Sequence, residues 1–301
     1  MSFTPIDLSK LSAPDVVEEI DHKVIIAEMV NDLRRRDLAF DALVESDPAW
    51  KTLEVAAYRE MLLRQRVNDV ARSVMLAFAS GSDLDHMGAL FGVTRKIINP
   101  ENLEVIPPTT AVMEADTDFR YRITLALEGL STAGPEGSYL YHTLKCSKIK
   151  DASVVGPPTV SPGQVLVTIL GNFGDGTVAA EVVDEVKSLL NAENVRPITD
   201  EVIVKGAKIH HYKIVATLYT FDGPDPDVII NKARKNAEAF VSSSHRVGRD
   251  IPISGIYAAL HVEGVQRVVL TEPTETLKLD HTQAPYCAYT DIKLTHGGTD
   301  E

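Results

Sequence analysis

The chain has 301 residues, 44% of them hydrophobic and 24% charged, and a formal net charge of −13. That size leaves room for two or three domains, and the composition is that of an ordinary globular protein able to bury a core. An acidic surface repels phosphate, so nucleic-acid binding is excluded unless a basic patch overcomes it.

The basic candidate is Arg34, Arg35 and Arg36 with Arg64 and Arg66, which lie among Asp and Glu on helical stretches and read as a solvated face or a protein interface. The stretch Met1 to Asp7 lacks the basic and apolar regions of a signal peptide. No apolar run approaches the roughly 18 residues that cross a bilayer. The expectation is synthesis in a reducing cytoplasm, with release only by lysis. Cys146 and Cys287 are too few and too far apart to form a disulfide framework.

Residues 1–95 read as an N-terminal helical region. Pro14 after Ser12 and Ala13 is a cap followed by a helix-starting proline. Val17, Ile20, Val24, Ala27, Val30 and Leu33 then recur at steps of three and four. Asp47–Pro48 breaks that pattern, and Leu53, Ala57, Leu62, Val67, Val70, Val74 and Phe78 begin a second stripe. Its opposite face holds Glu54, Arg59, Glu60, Arg64, Arg66, Asp69 and Arg72. Long helices with narrow apolar seams and charged backs bury themselves poorly alone, which predicts a bundle partner. The other reading is that they pack on the chain's own later region. Ser80 to Asp83 is a turn and cap that opens a short helix, ended by Gly92.

Residues 96–150 read as a middle linker and helical region. The stretch 95–112, with Pro100, Pro107 and Pro108, is expected to be irregular. Helices are predicted over 116–129 and near 136–146, joined by the loop Ser131 to Pro135. Residues 151–275 read as a C-terminal α+β region: a strand at 165–170, a turn at 171–176, a helix at 177–191, strands at 202–204 and 209–221, a turn at 222–226, a helix striped by Ile230, Ala233, Ala237 and Phe240, a short helix at 252–261 and a strand at 265–270. Residues 276–301 are set apart as a C-terminal tail. The fold class is α+β: long N-terminal helices forming part of a bundle, then tandem strand–helix–strand units.

Chemistry-bearing motifs are sparse. The glycine-rich Gly171 to Gly176 lies where phosphate loops lie, but it lacks the closing Gly-Lys-Ser/Thr and carries Asp175, so it reads as a tight turn. Asp222, Asp225 and Asp227 are interrupted by Pro224 and Pro226 and do not space as a calcium loop. His210 and His211 point to opposite faces of a strand, and His142 with Cys146 lacks a second ligand pair. There is no nucleophile elbow. No catalytic, cofactor or metal residues are assigned. An enzyme and a coiled-coil regulator remain as alternatives.

A resemblance adds what these patterns do not name. Ala57–Glu60, Arg64–Asn68 and Ala71–Ala77, then Gly81–Asp85 with Thr94–Arg95, resemble the second helix, turn and short helix of the phage baseplate J family. Pro107–Thr109, Met113–Arg120 and Glu128–Gly134 are similar to its middle section. Val195–Asp200, His245–Ile251, Ile256–Val268, Thr282–Ala284 and Gly297–Glu301 are similar to its second half. The likeness spans the chain and is nearest to the P2-like branch. It is weakest around 145–193 and 222–240.

This resemblance implies a non-enzymatic baseplate wedge protein of a contractile tail or tail-like particle; the alternatives are a peptidoglycan hydrolase carried on the baseplate and a tail-fibre or connector adaptor. Its implied partners are other copies of itself, a protein I-like second wedge protein on the N-terminal helices, a protein W-like sheath-initiating wedge protein, and the central hub and spike. Copies would close into a ring that rearranges when the sheath contracts. The expected inter-copy surface runs from His245 to Arg267 and includes Arg246, Arg249, Asp250, Tyr257 and His261. The competing reading is that Arg249 and Asp250 only close the domain's own loop.

Overall fold

The computed structural model describes residues 8, 11–12, 14, 16–40, 43–102, 104, 106–130, 135–192, 195–197, 199–222 and 225–299. Ala13 of the predicted cap, the loop residues 131–134, and Gly223 and Pro224 of the predicted turn lie outside the described residues. Contacts separate two compact units, one drawn from Pro5–Arg95 and the other from Lys96–Glu301.

The first unit holds α1 (His22–Arg36), α2 (Pro48–Ser73) and α3 (Gly81–Leu90). The helix predicted from Pro14 begins only at His22. Asp21 caps it, its side chain accepting the Lys23 N–H at 2.8 Å. Upstream, the Glu18 N–H donates to Asn68 Oδ1 at 3.0 Å, and the Glu18 carbonyl accepts from Asn68 Nδ2 at 2.8 Å. A helix through Glu18 would use both groups in its own turns. The buried Asn68 therefore holds this segment out of the helix. On α2 only Ala57 and Asn68 are buried, so the predicted apolar stripe exists but stays largely uncovered. Leu84 is fully buried on α3, and Gly92 ends the turn after it at φ 68.

The second unit opens with a hairpin arm. β1 (Ile97–Asn99) pairs antiparallel with β2 (Val112–Met113), and a further bridge joins Asn102 to Thr109. The stretch predicted to be irregular is thus paired in part, and the rest of its described residues are irregular as expected. Its prolines follow β1 or sit beyond the last bridge, where the ladder needs no N–H. Then come α4 (Asp116–Thr124), shorter than the predicted 116–129, and α5 (Glu136–Lys145).

A central sheet follows, of β3 (Ile149–Val155), β4 (Gln164–Gly171) and β5 (Glu201–Gly206) in the order β3-β4-β5. β3 and β4 are antiparallel; β4 and β5 are parallel and joined through α6 (Ala180–Leu190). Its core includes Tyr139, Ile149, Val167, Ile169, Val186 and Leu190.

The strand predicted over 209–221 is two strands in two sheets. β6 (Lys208–His211) and β7 (Ile214–Thr220) are separated at Tyr212–Lys213. α7 (Pro226–Ser244), α8 (Ile253–Leu260) and β8 (Val265–Glu272) follow. The supposed tail supplies β9 (Gln283–Tyr286), parallel to β6, and β10 (Ile292–Thr299), parallel to β7. Ile292 and Leu294 of β10 are buried in the core of α7, α8 and β7, so that core is incomplete without the last strand. The sheet order is β10-β7-β8, with β7 and β8 antiparallel. Both regions therefore carry a mixed three-stranded sheet with helices, consistent with the α+β class, but their connectivities differ. A crossover helix delivers a parallel strand in the central sheet, whereas two helices deliver an antiparallel strand in the C-terminal sheet.

Candidate functional site

Between the central and C-terminal sheets the structure gathers charge. Arg246, two residues past the end of α7, reaches the carboxylates of Asp118 on α4 and Asp151 on β3. The second contact is 3.6 Å, and the other oxygen of Asp151 accepts the Val247 N–H at 2.9 Å. Burial pushes the Asp151 carboxyl above its usual range, while Arg246 and backbone donors pull it back.

Beside it, His245 is buried with Nδ1 3.1 Å from Lys150 Nζ and Nε2 3.1 Å from the Asp175 carbonyl oxygen. Burial, then the Lys150 charge, pull its pKa down to about 4. The ring is therefore neutral. The Lys150 ammonium donates to Nδ1, so Nε2–H donates to the Asp175 carbonyl. The loop at 171–176 is the tight turn its composition indicates. Gly176 has φ 90, and a Cβ there would meet Leu170 at 2.4 Å and the His245 ring at 3.0 Å. The Asp175 side chain accepts the Thr177 N–H at 3.0 Å and lies 3.4 Å from His211 Nε2.

A second charged group sits at the base of the hairpin arm. Lys96 Nζ donates to the Cys146 carbonyl at 2.9 Å and the Ile149 carbonyl at 3.3 Å. Burial, then Arg122, bring its pKa down to about 8. Glu114 accepts from the Lys96 N–H at 3.1 Å and pairs with Arg122. Both groups border a polar cavity of about 140 Å³ lined by Lys96, Glu114, Asp118, Lys150 and Asn172, with Ile98, Ala115 and Ile149. Sequence reasoning missed both groups, because each joins residues dozens of positions apart.

The seven residues expected at an inter-copy surface divide. His245 is buried and Arg246 is half-buried, and both make the polar contacts inside the chain described above. Asp250, exposed, has its Oδ1 accepting the Leu279 N–H at 2.8 Å, and the next residue, Ile251, bridges to Leu277. Arg249, Tyr257, His261 and Arg267 are exposed, on the loop before α8, on α8, at its C-cap and on β8. The Arg267 guanidinium lies over the Tyr219 ring, 4.0 Å from its centre. Among the described residues no three of His, Cys, Asp or Glu are placed to hold a metal ion, and no helix is long and apolar enough to cross a membrane.

Three family profiles match in chain order. The Baseplate J-like N-terminal domain covers residues 45–102, the central domain 131–206 and the C-terminal domain 212–295. A relative named Baseplate protein J, from Escherichia phage P2, is 46% identical over 304 residues, spanning 98% of this chain and 99% of the relative. The chain belongs to the baseplate J family. It is a structural protein of a phage-tail baseplate. In family terms, the Arg246 cluster lies where the baseplate J central and C-terminal domains meet. Its Asp118 comes from the segment between the N-terminal and central matches.

Proposed function

We propose that this baseplate J chain is a non-enzymatic wedge subunit. Copies close into a ring around the central hub and spike, and the ring rearranges to release sheath contraction. The N-terminal helices bundle with a second wedge protein, the C-terminal region makes contacts between copies, and the sheath-initiating wedge protein docks on the finished ring.

The observation that carries this reading is the uncovered row on α2. Leu63, Val67, Val70 and the C-cap residue Val74 are 68%, 61%, 52% and 67% exposed and recur at steps of four, three and four, the spacing of a coiled-coil seam. Covering such side chains is worth about 1–2 kcal/mol each. Elsewhere along α2, the ion pairs Lys51–Glu54, Arg64–Glu60 and Arg72–Asp69 lie on the surface. Such exposed pairs hold the helix soluble and add little stability. An amphipathic helix with an open seam is a subunit awaiting a partner.

Quantitative mass spectrometry of purified tails tests the reading. The wedge role predicts this chain in a multiple of six copies, counted against the sheath protein. Its absence from purified tails, with the chain left in the soluble lysate, would contradict it.

A further inference from the structure

The central sheet ends at Gly206, the last residue of β5, and after Ala207 the chain enters β6, which pairs with β9. The two apolar cores share no residue. Among the described residues, the helices and strands of the two regions have no substantial packing on one another. What spans the junction is polar: Arg246 on Asp118 and Asp151, the Val247 N–H on Asp151, His245 between Lys150 and the Asp175 carbonyl, and His211 beside the Asp175 carboxylate.

We propose that residues 208–299 are a rigid body latched to the central region by Arg246, and that this body swings about Ala207 when the latch opens. Separating two regions that shared a core would expose apolar surface. Here each core stays closed, and only directional polar contacts part. Those contacts are made or lost over a short displacement, unlike apolar packing. They also depend on one another. Without Arg246, Asp151 is a buried carboxylate facing Asp118, which disfavours the docked state. The junction thus has two arrangements, docked and open, with little between them, as a switching element requires. The Ala207 N–H still donates to the Ile169 carbonyl at 2.9 Å, so the pivot falls after that bond, at the one residue between the β5 and β6 ladders.

This inference goes beyond the ring reading and does not depend on it, because undocking is a property of the single chain. Its test is electron–electron distance measurement on the full-length chain. Spin labels go on Ser188→Cys of α6 and Asn236→Cys of α7, both exposed, in a Cys146→Ser, Cys287→Ala background. The latch predicts one narrow distance distribution with Arg246 present. It predicts a broadened distribution, or a second distance, with Arg246→Met and with the milder Asp118→Asn. Amide protection in β4 and β7 should stay as in the parent. A narrow distribution in both variants would overturn the proposal. So would loss of protection in β4 or β7 along with broadening, because Arg246 would then hold the regions folded rather than docked.

Discussion

Asn68 and Glu18, fifty positions apart, are joined by two hydrogen bonds in which the Asn68 amide stands in for a neighbouring strand. The amide accepts from the Glu18 N–H and donates to the Glu18 carbonyl, and Asn68 is only 3% exposed. Removing it orphans two backbone groups, at about 1 kcal/mol or more each. Asn68→Ala should therefore destabilise the N-terminal unit by about 2–3 kcal/mol in urea unfolding, and the Glu18 amide should exchange much faster. Asn68→Asp, which keeps the acceptor and loses the donor, should fall between. Unchanged stability in Asn68→Ala would show that α1 is placed by its own packing alone.

The α2 seam gives a prediction in which folding and assembly separate. Leu63 and Val67 are exposed in the chain, so Leu63→Glu with Val67→Glu should leave circular dichroism unchanged and shift stability by no more than about 0.5 kcal/mol per site. Supplied to a strain lacking the gene, the same variant should fail to restore tails. Full restoration would remove α2 as the docking surface.

Arg249 is the exposed charge on the loop beside the latch. Arg249→Glu should purify as a folded chain with the parent's thermal midpoint and should cripple ring assembly in complementation. Particles of normal number and infectivity would assign this loop to the domain's own closure, the role Asp250 already fills through Leu279.

His245 sets an acid limit. Its pKa of about 4 in the folded chain lies below the ordinary 6.5, so the folded state binds this proton less readily than the unfolded state. The stability it contributes is complete above pH 6.5 and is lost as pH falls through about 4, up to about 3 kcal/mol. The groups facing it are Lys150 from β3, Asp175 from the turn, its neighbour Arg246, and the Tyr286 ring from β9. Nearby Asp151, whose carboxyl is raised by burial, pulls the other way at low pH, since the folded chain takes up its proton earlier. His245→Gln keeps an acceptor for Lys150 and a donor for the Asp175 carbonyl without titrating. Urea midpoints between pH 7 and 4 should fall more steeply for the parent than for this variant. Equal slopes would contradict the buried neutral ring.

Most of the helices were legible in the sequence because their period is local. α2, α6 and α7 follow from apolar residues at three- and four-residue steps. The start of α1 was hidden because its determinant, Asn68, lies on another helix. β3 was missed although it is buried, because Lys150, Asp151 and Ser153 interrupt its apolar pattern. Lys150 and Asp151 are polar because they serve the latch. The prolines of 95–112 suggested a linker, yet they leave the β1–β2 pairing intact. The stretch after 276 looked like a tail because β9 has only four residues and β10 is largely polar, and only pairing with β6 and β7 shows their place. His245 and Arg246 stood out as candidates for an inter-copy surface. That they face inward depends on Asp118, 128 positions from Arg246, which no local pattern reveals.

The central claim, that the chain is an indispensable structural part of the tail, is tested most directly by deleting its gene in the producing strain, inducing, and viewing the lysate by negative-stain electron microscopy. The account predicts that contractile tails are missing and that they return when the gene is supplied in trans. Normal tails with complete baseplates in the deletion strain would contradict it.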